Sequence, residues 1–222
     1  MKKKLLIAFF ITTIIFVLGL LLGLNYTAKS IKFFQEESYN QKLEFDDIQL
    51  QYRYLDLLQS EKKCDELIVA FQKNVDGLEE TRKKIENLRG SISEEDYDLL
   101  MFDYRIRQID YWLFSREMKK SCDTDYLTIL YFFNGECGND CREQALTLDS
   151  FKTHFGDKLL IFAIDGDYMN VDTINMIKKT FSINSYPALI VEDKKYVGFS
   201  DNVKLLDIVC SLYDPVPEEC NI

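Results

Sequence analysis

The stretch Tyr126–Cys141 reads YLTILYFFNGECGNDC. Tyr126, Leu127, Thr128, Ile129, Leu130, Tyr131, Phe132 and Phe133 spell a buried strand. Asn134-Gly135 stops it as a turn signal. Cys137 and Cys141 follow, and Arg142-Glu143-Gln144-Ala145-Leu146 opens a helix. A thiol placed there lies in the positive end of the helix dipole, among backbone N–H groups with no intrahelical partner. That setting favours the thiolate, which is the nucleophilic form of sulfur.

The chain has 222 residues, enough for one ordinary domain and an additional region. It is 47% hydrophobic and 14% aromatic, ample for a packed core. The net charge of −10 gives no electrostatic reason to bind nucleic acid, and no basic patch stands out. Lys178-Lys179 and Lys194-Lys195 read as solvated pairs. Three prolines and nine glycines leave little material for long disordered linkers.

Leu5–Leu24 is an uncharged apolar run preceded by Lys2, Lys3 and Lys4. Twenty residues at 1.5 Å rise match a hydrocarbon core of roughly 30 Å, so the run reads as a single-pass transmembrane helix. The positive-inside rule then puts the N-terminus in the cytoplasm and the remainder outside it. A cleaved signal peptide is the rival. Its apolar region would be about 7–15 residues, and Tyr26-Thr27-Ala28 is a poor cleavage site.

Residues from Tyr39 to Arg89 carry helical periodicity, as one helix or two. Cys64, Ile68, Phe71, Val75, Leu78 and Ile85 form one stripe, and Ile48, Leu55 and Leu58 continue the pattern upstream. Gly90 ends the segment. Ser93 with Glu94, Glu95 and Asp96 starts another helix, which runs to about Lys119 with Tyr97, Leu100, Met101, Tyr104, Trp112 and Leu113 as its apolar face. The short link makes the two helices an antiparallel hairpin. Cys64 and Cys122 lie almost equally far from the fold at Ser91-Ile92, so they meet at its open end. A Cys64–Cys122 disulfide is expected, with two buried thiols as the alternative.

Beyond Tyr126 the elements alternate. Strand Tyr126–Phe133 leads to helix Cys141–Phe155, strand Leu159–Ile164 and helix Val171–Thr180. Strands Ala188–Val191 and Tyr196–Phe199 form a hairpin, and helix Asn202–Tyr213 follows. This order predicts an α/β layer structure with helices on both sheet faces.

The order of elements, the cysteine pair after the first strand and Ser185-Tyr186-Pro187-Ala188-Leu189 resemble the thioredoxin fold. The resemblance covers about residues 124–213. It implies a cis peptide bond at Pro187, facing the cysteines. It also implies that Tyr186 and Pro187 contact an extended substrate segment. By the same resemblance Cys137 attacks and Cys141 resolves, with no cofactor. The chain departs from the family in three places. Three residues, Gly138, Asn139 and Asp140, separate the cysteines instead of two, which still leaves them neighbours at i and i+4. Glu136 replaces the usual tryptophan, and Tyr131 stands where a buried acid is usual.

Copper-delivering relatives share the three-residue spacing but add a distant histidine. The single histidine, His154, lies more than three turns along the helix from the pair, and is expected to cap the helix end before Gly156. No metal site is expected. Cys210 and Cys220, flanking Pro215 and Pro217, are expected to pin the tail as a disulfide, or to form an exchangeable pair.

The sequence thus predicts residues 1–4 in the cytoplasm, a membrane span at 5–24, a helical hairpin region at 25–122, a thioredoxin-like domain at 123–213 and a tail at 214–222. The expected function is thiol–disulfide exchange with protein substrates through Cys137 and Cys141, with a redox partner in the membrane as one candidate partner that the sequence does not identify. The alternatives are a non-catalytic scaffold with structural disulfides and, behind it, copper transfer.

Overall fold

The computed structural model describes residues 9–21, 32, 36, 39–40, 42–43, 45–50, 52–53, 64–122, 124–167 and 171–220. Among them, no helix is long and apolar enough to cross a membrane. The expected transmembrane helix at Leu5–Leu24 is therefore not supported, nor is the single-pass placement built on it. Residues 9–21 are helical. A span needs a helix of about 20 apolar residues, and no helix among the described residues meets that requirement.

Two long helices form the expected hairpin: α1 (Cys64–Leu88) and α2 (Glu94–Ser121). Ser93 caps α2, its hydroxyl accepting from the Asp96 N–H at 3.1 Å, and Glu94, Glu95 and Asp96 fill the first turn. These acids meet the free N–H groups and the positive dipole end. Cys64 and Cys122 are joined by a disulfide across 58 residues of sequence. Ile68, Phe71, Val75, Leu78 and Ile85 line the inner side of α1, together with Leu67.

Helix α2 is buried more widely than one apolar stripe predicts. Leu100, Tyr104 and Trp112 are buried, but so are Ile109, Tyr111, Phe114 and Met118, while Leu113 is exposed. The reason is its position between layers. Phe45 stacks on Tyr111 at 4.0 Å between ring centroids, and Tyr52 meets Phe114 edge to face. Phe45, Ile48 and Tyr52 thus cover one side of α2, α1 covers another, and a sheet covers a third. Leu55 and Leu58 lie outside the described residues.

The sheet comprises β1 (Leu127–Phe133), β2 (Leu159–Asp165), β3 (Ala188–Val191) and β4 (Lys194–Val197) in the order β2-β1-β3-β4. Strand β1 runs parallel to β2 and antiparallel to β3, and β3 is antiparallel to β4. Helix α3 (Gly138–Phe155) connects β1 to β2 and α4 (Asp172–Thr180) connects β2 to β3. Helix α5 (Asn202–Cys210) follows β4. Side chains alternate across a strand, so β1 feeds two cores. Leu130 and Phe132, with Phe162, Ile164 and Ile190, face the hairpin and α4. Ile129 and Tyr131, with Leu189 and Val191, face α3 and α5. Hairpin and sheet share the first of these cores without a break.

The tail is fastened at the end of the sheet where β2 begins. Cys210 and Cys220 are disulfide-bonded. The Lys158 ammonium reaches both Glu219 carboxylate oxygens at 2.9 Å, and the Tyr213 hydroxyl donates to the Lys158 carbonyl. His154 departs from its expected role. Its Nε2 meets the Glu219 carbonyl at 2.7 Å, so it binds the tail, and Lys152 Nζ donates to the Gly156 carbonyl at the end of α3.

Candidate functional site

Three loops converge where β1 and β2 end and β3 begins. The parallel register pairs Phe133 with Asp165. The antiparallel register pairs Phe132 with Ala188, which puts Pro187 level with Phe133. The segment carrying Cys137 leaves β1 from that same level. Sheet register alone therefore brings the cysteine loop, the β2–α4 loop and the Tyr186–Pro187 loop to one end of the molecule. The Tyr186–Pro187 peptide bond is cis, as is Asp214–Pro215.

Cys137 and Cys141 are joined by a disulfide, with Cα atoms 5.6 Å apart. The helix begins at Gly138, earlier than the sequence pattern indicates, so Cys137 is its N-cap and Cys141 lies in its first turn. Gly138 has φ +66, a left-handed conformation that glycine adopts without strain. The two sulfurs are unequal in access. Cys137 is half-buried, whereas Cys141 is only 7% exposed.

Tyr131 lies beneath the inner cysteine, its hydroxyl donating to the Cys141 carbonyl at 2.7 Å. Burial pushes its pKa up to about 12. It remains a phenol at neutral pH and acts as a donor there, which a carboxylate in that position could not do.

The Tyr186 side chain turns towards the β2–α4 loop. Its hydroxyl donates to Asp167 at 3.1 Å, and the Lys178 ammonium lies 5.3 Å from its ring centroid. The ring crosses Gly166 so closely that a Cβ there would overlap the Tyr186 phenol. A side chain at position 166 would displace the Tyr186 ring. On the other side of Asp167, the Asn134 amide donates to it at 2.7 Å. That bond, then the Tyr186 hydroxyl and Lys178, hold the Asp167 carboxyl below the usual carboxylate range. Asp167 thus ties the cysteine loop to the Tyr186–Pro187 loop.

Asn134, Asp167 and Gln144 are the residues that sequence reasoning passed over. Asn134 reads as a turn former alone. Asp165-Gly166-Asp167 is a turn in which the Asp167 N–H donates to the Asp165 carboxylate at 3.1 Å, a common local pattern that does not announce a long-range bond. Gln144 had a clearer signal. It sits in the buried stripe Cys141, Gln144, Leu148, Phe151, Phe155, a polar side chain on an apolar face. Among the described residues, no three histidine, cysteine or carboxylate side chains gather as a metal-holding group.

No protein-family model matches the chain, and no curated protein matches it. Solved structures similar to part of it include three thioredoxins. Thioredoxin-2, a component of malaria parasite protein secretion machinery, is 20% identical with a TM-score of 0.32, over 38% of this chain and 81% of that one. Chloroplastic thioredoxin z is 22% identical with a TM-score of 0.32, over 39% of this chain and 78% of that one. Deadhead, a germline-specific thioredoxin of Drosophila melanogaster, is 22% identical with a TM-score of 0.34, over 50% of this chain and 93% of that one. The solved structures that this chain resembles are thioredoxin-like folds, matched over half of its length or less.

Proposed function

We propose that the chain is a thiol–disulfide oxidoreductase that exchanges disulfides with protein thiols through Cys137 and Cys141. One observation carries this reading: the disulfide is asymmetric, with its outer cysteine capping a helix and its inner one buried in the first turn. In such a pair a substrate thiolate attacks Cys137 Sγ. The Cys137–Cys141 bond breaks, Cys141 leaves as a thiolate, and a mixed disulfide joins the substrate to Cys137. A second substrate thiolate then attacks the substrate sulfur of that bond and expels the Cys137 thiolate. The substrate is oxidised by two electrons and the cysteine pair reduced by two. The same steps run backwards reduce a substrate disulfide.

Tyr186 and Pro187 are the proposed substrate contacts. Among the described residues, none makes a backbone–backbone hydrogen bond with Tyr186. Its N–H and C=O are thereby left for an extended substrate segment, which would pair as an added strand.

The test is insulin reduction, or oxidation of a dithiol peptide, by the full chain. Wild type is expected to turn over. Cys137→Ser is expected to abolish turnover, and Cys141→Ser to trap the mixed disulfide. Turnover that survives Cys137→Ser rejects the mechanism. An inert wild type whose Cys137–Cys141 bond resists dithiothreitol favours a scaffold with structural disulfides.

A further inference from the structure

We propose that Gln144 is a positioning residue, which sets the spacing between the Cys137–Cys141 disulfide and the Tyr186–Pro187 loop by clasping the loop after β4. The inference rests on the oxidoreductase reading above and extends it to a residue that touches neither sulfur nor substrate.

The side chain of Gln144 is fully buried, one turn beyond Cys141 on the same face of α3. Its amide grips one residue from both sides. Gln144 Oε1 accepts from the Ser200 N–H at 2.8 Å, and Gln144 Nε2 donates to the Ser200 carbonyl at 3.3 Å. The Ser200 side chain adds nothing to this, since its hydroxyl is buried without a partner among the described residues. Two residues earlier, the Gly198 N–H donates to the Pro187 carbonyl at 2.8 Å. Residues 198–200 are therefore a strut. One end holds the proline peptide, and the other is held by the helix that carries the cysteines.

The chemistry gives the strut its importance. A substrate segment laid along Tyr186–Pro187 must present its sulfur in line with Cys137, and a misplacement of about 1 Å is costly to such a reaction. Sheet register fixes Pro187 against β1. Helix α3 is joined to β1 by the loop that contains Asn134-Gly135, by the Tyr131–Cys141 hydrogen bond and by the packing of Leu148, Phe151 and Phe155 on that face. The Gln144 clasp and the Asp167 bridge supply the remaining restraint. A carboxamide suits the task, because only a group with both a donor and an acceptor satisfies one residue's N–H and C=O together.

The experiment compares wild type with Gln144→Leu and Gln144→Glu in the full chain. Each is assayed with insulin, which must occupy the loop, and with oxidised dithiothreitol, which need not. Gln144→Leu is expected to lower kcat/KM for insulin about tenfold and to change the rate with the small disulfide less than twofold. The amides of Gly198 and Ser200 are expected to lose hydrogen-exchange protection. In Gln144→Glu an ionised carboxylate repels the Ser200 carbonyl, while the protonated acid restores one donor and one acceptor. Its insulin activity, taken relative to wild type at each pH, is therefore expected to rise as pH falls through the pKa of the new group. Equal loss on both substrates, unchanged activity on both, or unaltered Gly198 protection in Gln144→Leu each overturn the inference. A wild type without any exchange activity rejects the oxidoreductase reading and the inference with it. An active wild type with insensitive Gln144 variants rejects the inference alone.

Discussion

At the residue scale, Asp167 shows how a single carboxylate organises the candidate site. It accepts from Asn134 on the cysteine loop and from Tyr186 beside Pro187. Its pKa lies below its ordinary 3.8, first because of the Asn134 amide and then because of Tyr186 and Lys178. The sign follows from the ionised form being favoured by folding. A lowered folded-state pKa contributes stability above about pH 4 that is lost as pH falls through the folded value. Wild type should therefore be more stable than Asp167→Asn at pH 6, and the gap in Tm should close as pH is lowered towards 2. A gap that stays constant over that range would show that the charge on Asp167 does not hold the loops. Asn134 and Tyr186 were legible as a turn former and a loop residue, but their bonds to Asp167 were not, because hydrogen bonds between separate loops leave no periodic trace. Tyr131 was visible as a replacement for an acid. Its function as a donor beneath Cys141 became clear only from the buried 2.7 Å bond.

At the element scale, periodicity located α1, α2 and the four strands, and it erred where elements meet. Strand β4 spans Lys194–Val197, two residues earlier than the pattern indicated, because the turn is made tighter by Glu192 with φ +54. That residue also seals the junction between the hairpin and the sheet. Its carboxylate accepts from the buried Thr128 N–H at 2.7 Å and pairs with Lys119 at 2.9 Å. Arg116 reaches the Glu192 carbonyl at 2.9 Å and the Asp193 carboxylate. Two cations on the last turns of α2 thus hold the β3–β4 turn. The Arg116–Asp193 pair, whose carboxylate is exposed, contributes little. The Thr128 bond matters more, because its loss leaves a buried N–H without an acceptor. Glu192→Ala should lower stability by about 1–3 kcal/mol in urea denaturation, with Glu192→Gln recovering part of it. An alanine variant as stable as wild type would mean that water or Asp193 replaces the carboxylate.

At the scale of the whole molecule, the α/β order and the hairpin were both legible, since each rests on long, regular patterns. The relation between them was not. Nothing in a helical stripe states which layer it covers, and α2 carries buried residues on several sides because it lies between α1, Phe45 with its neighbours, and the sheet. The uncharged run Leu5–Leu24 reads as a span on composition, yet no helix among the described residues is long and apolar enough to cross a membrane. The unbroken core shared by hairpin and sheet has a thermodynamic consequence. If Leu130, Phe132, Phe162, Ile164 and Ile190 depend on the hairpin for cover, the two should unfold as one cooperative unit. Trp112 is the only tryptophan, 3% exposed on α2, so its fluorescence reports from the hairpin side of the shared core. Phe132 is fully buried on the sheet face that meets the hairpin. Phe132→Ala should cost about 3–5 kcal/mol. It should also move the Trp112 fluorescence midpoint and the hydrogen-exchange protection of β1 amides by the same free energy. A variant in which the β1 amides lose protection while the Trp112 transition stays in place would separate the layers into independently folding parts.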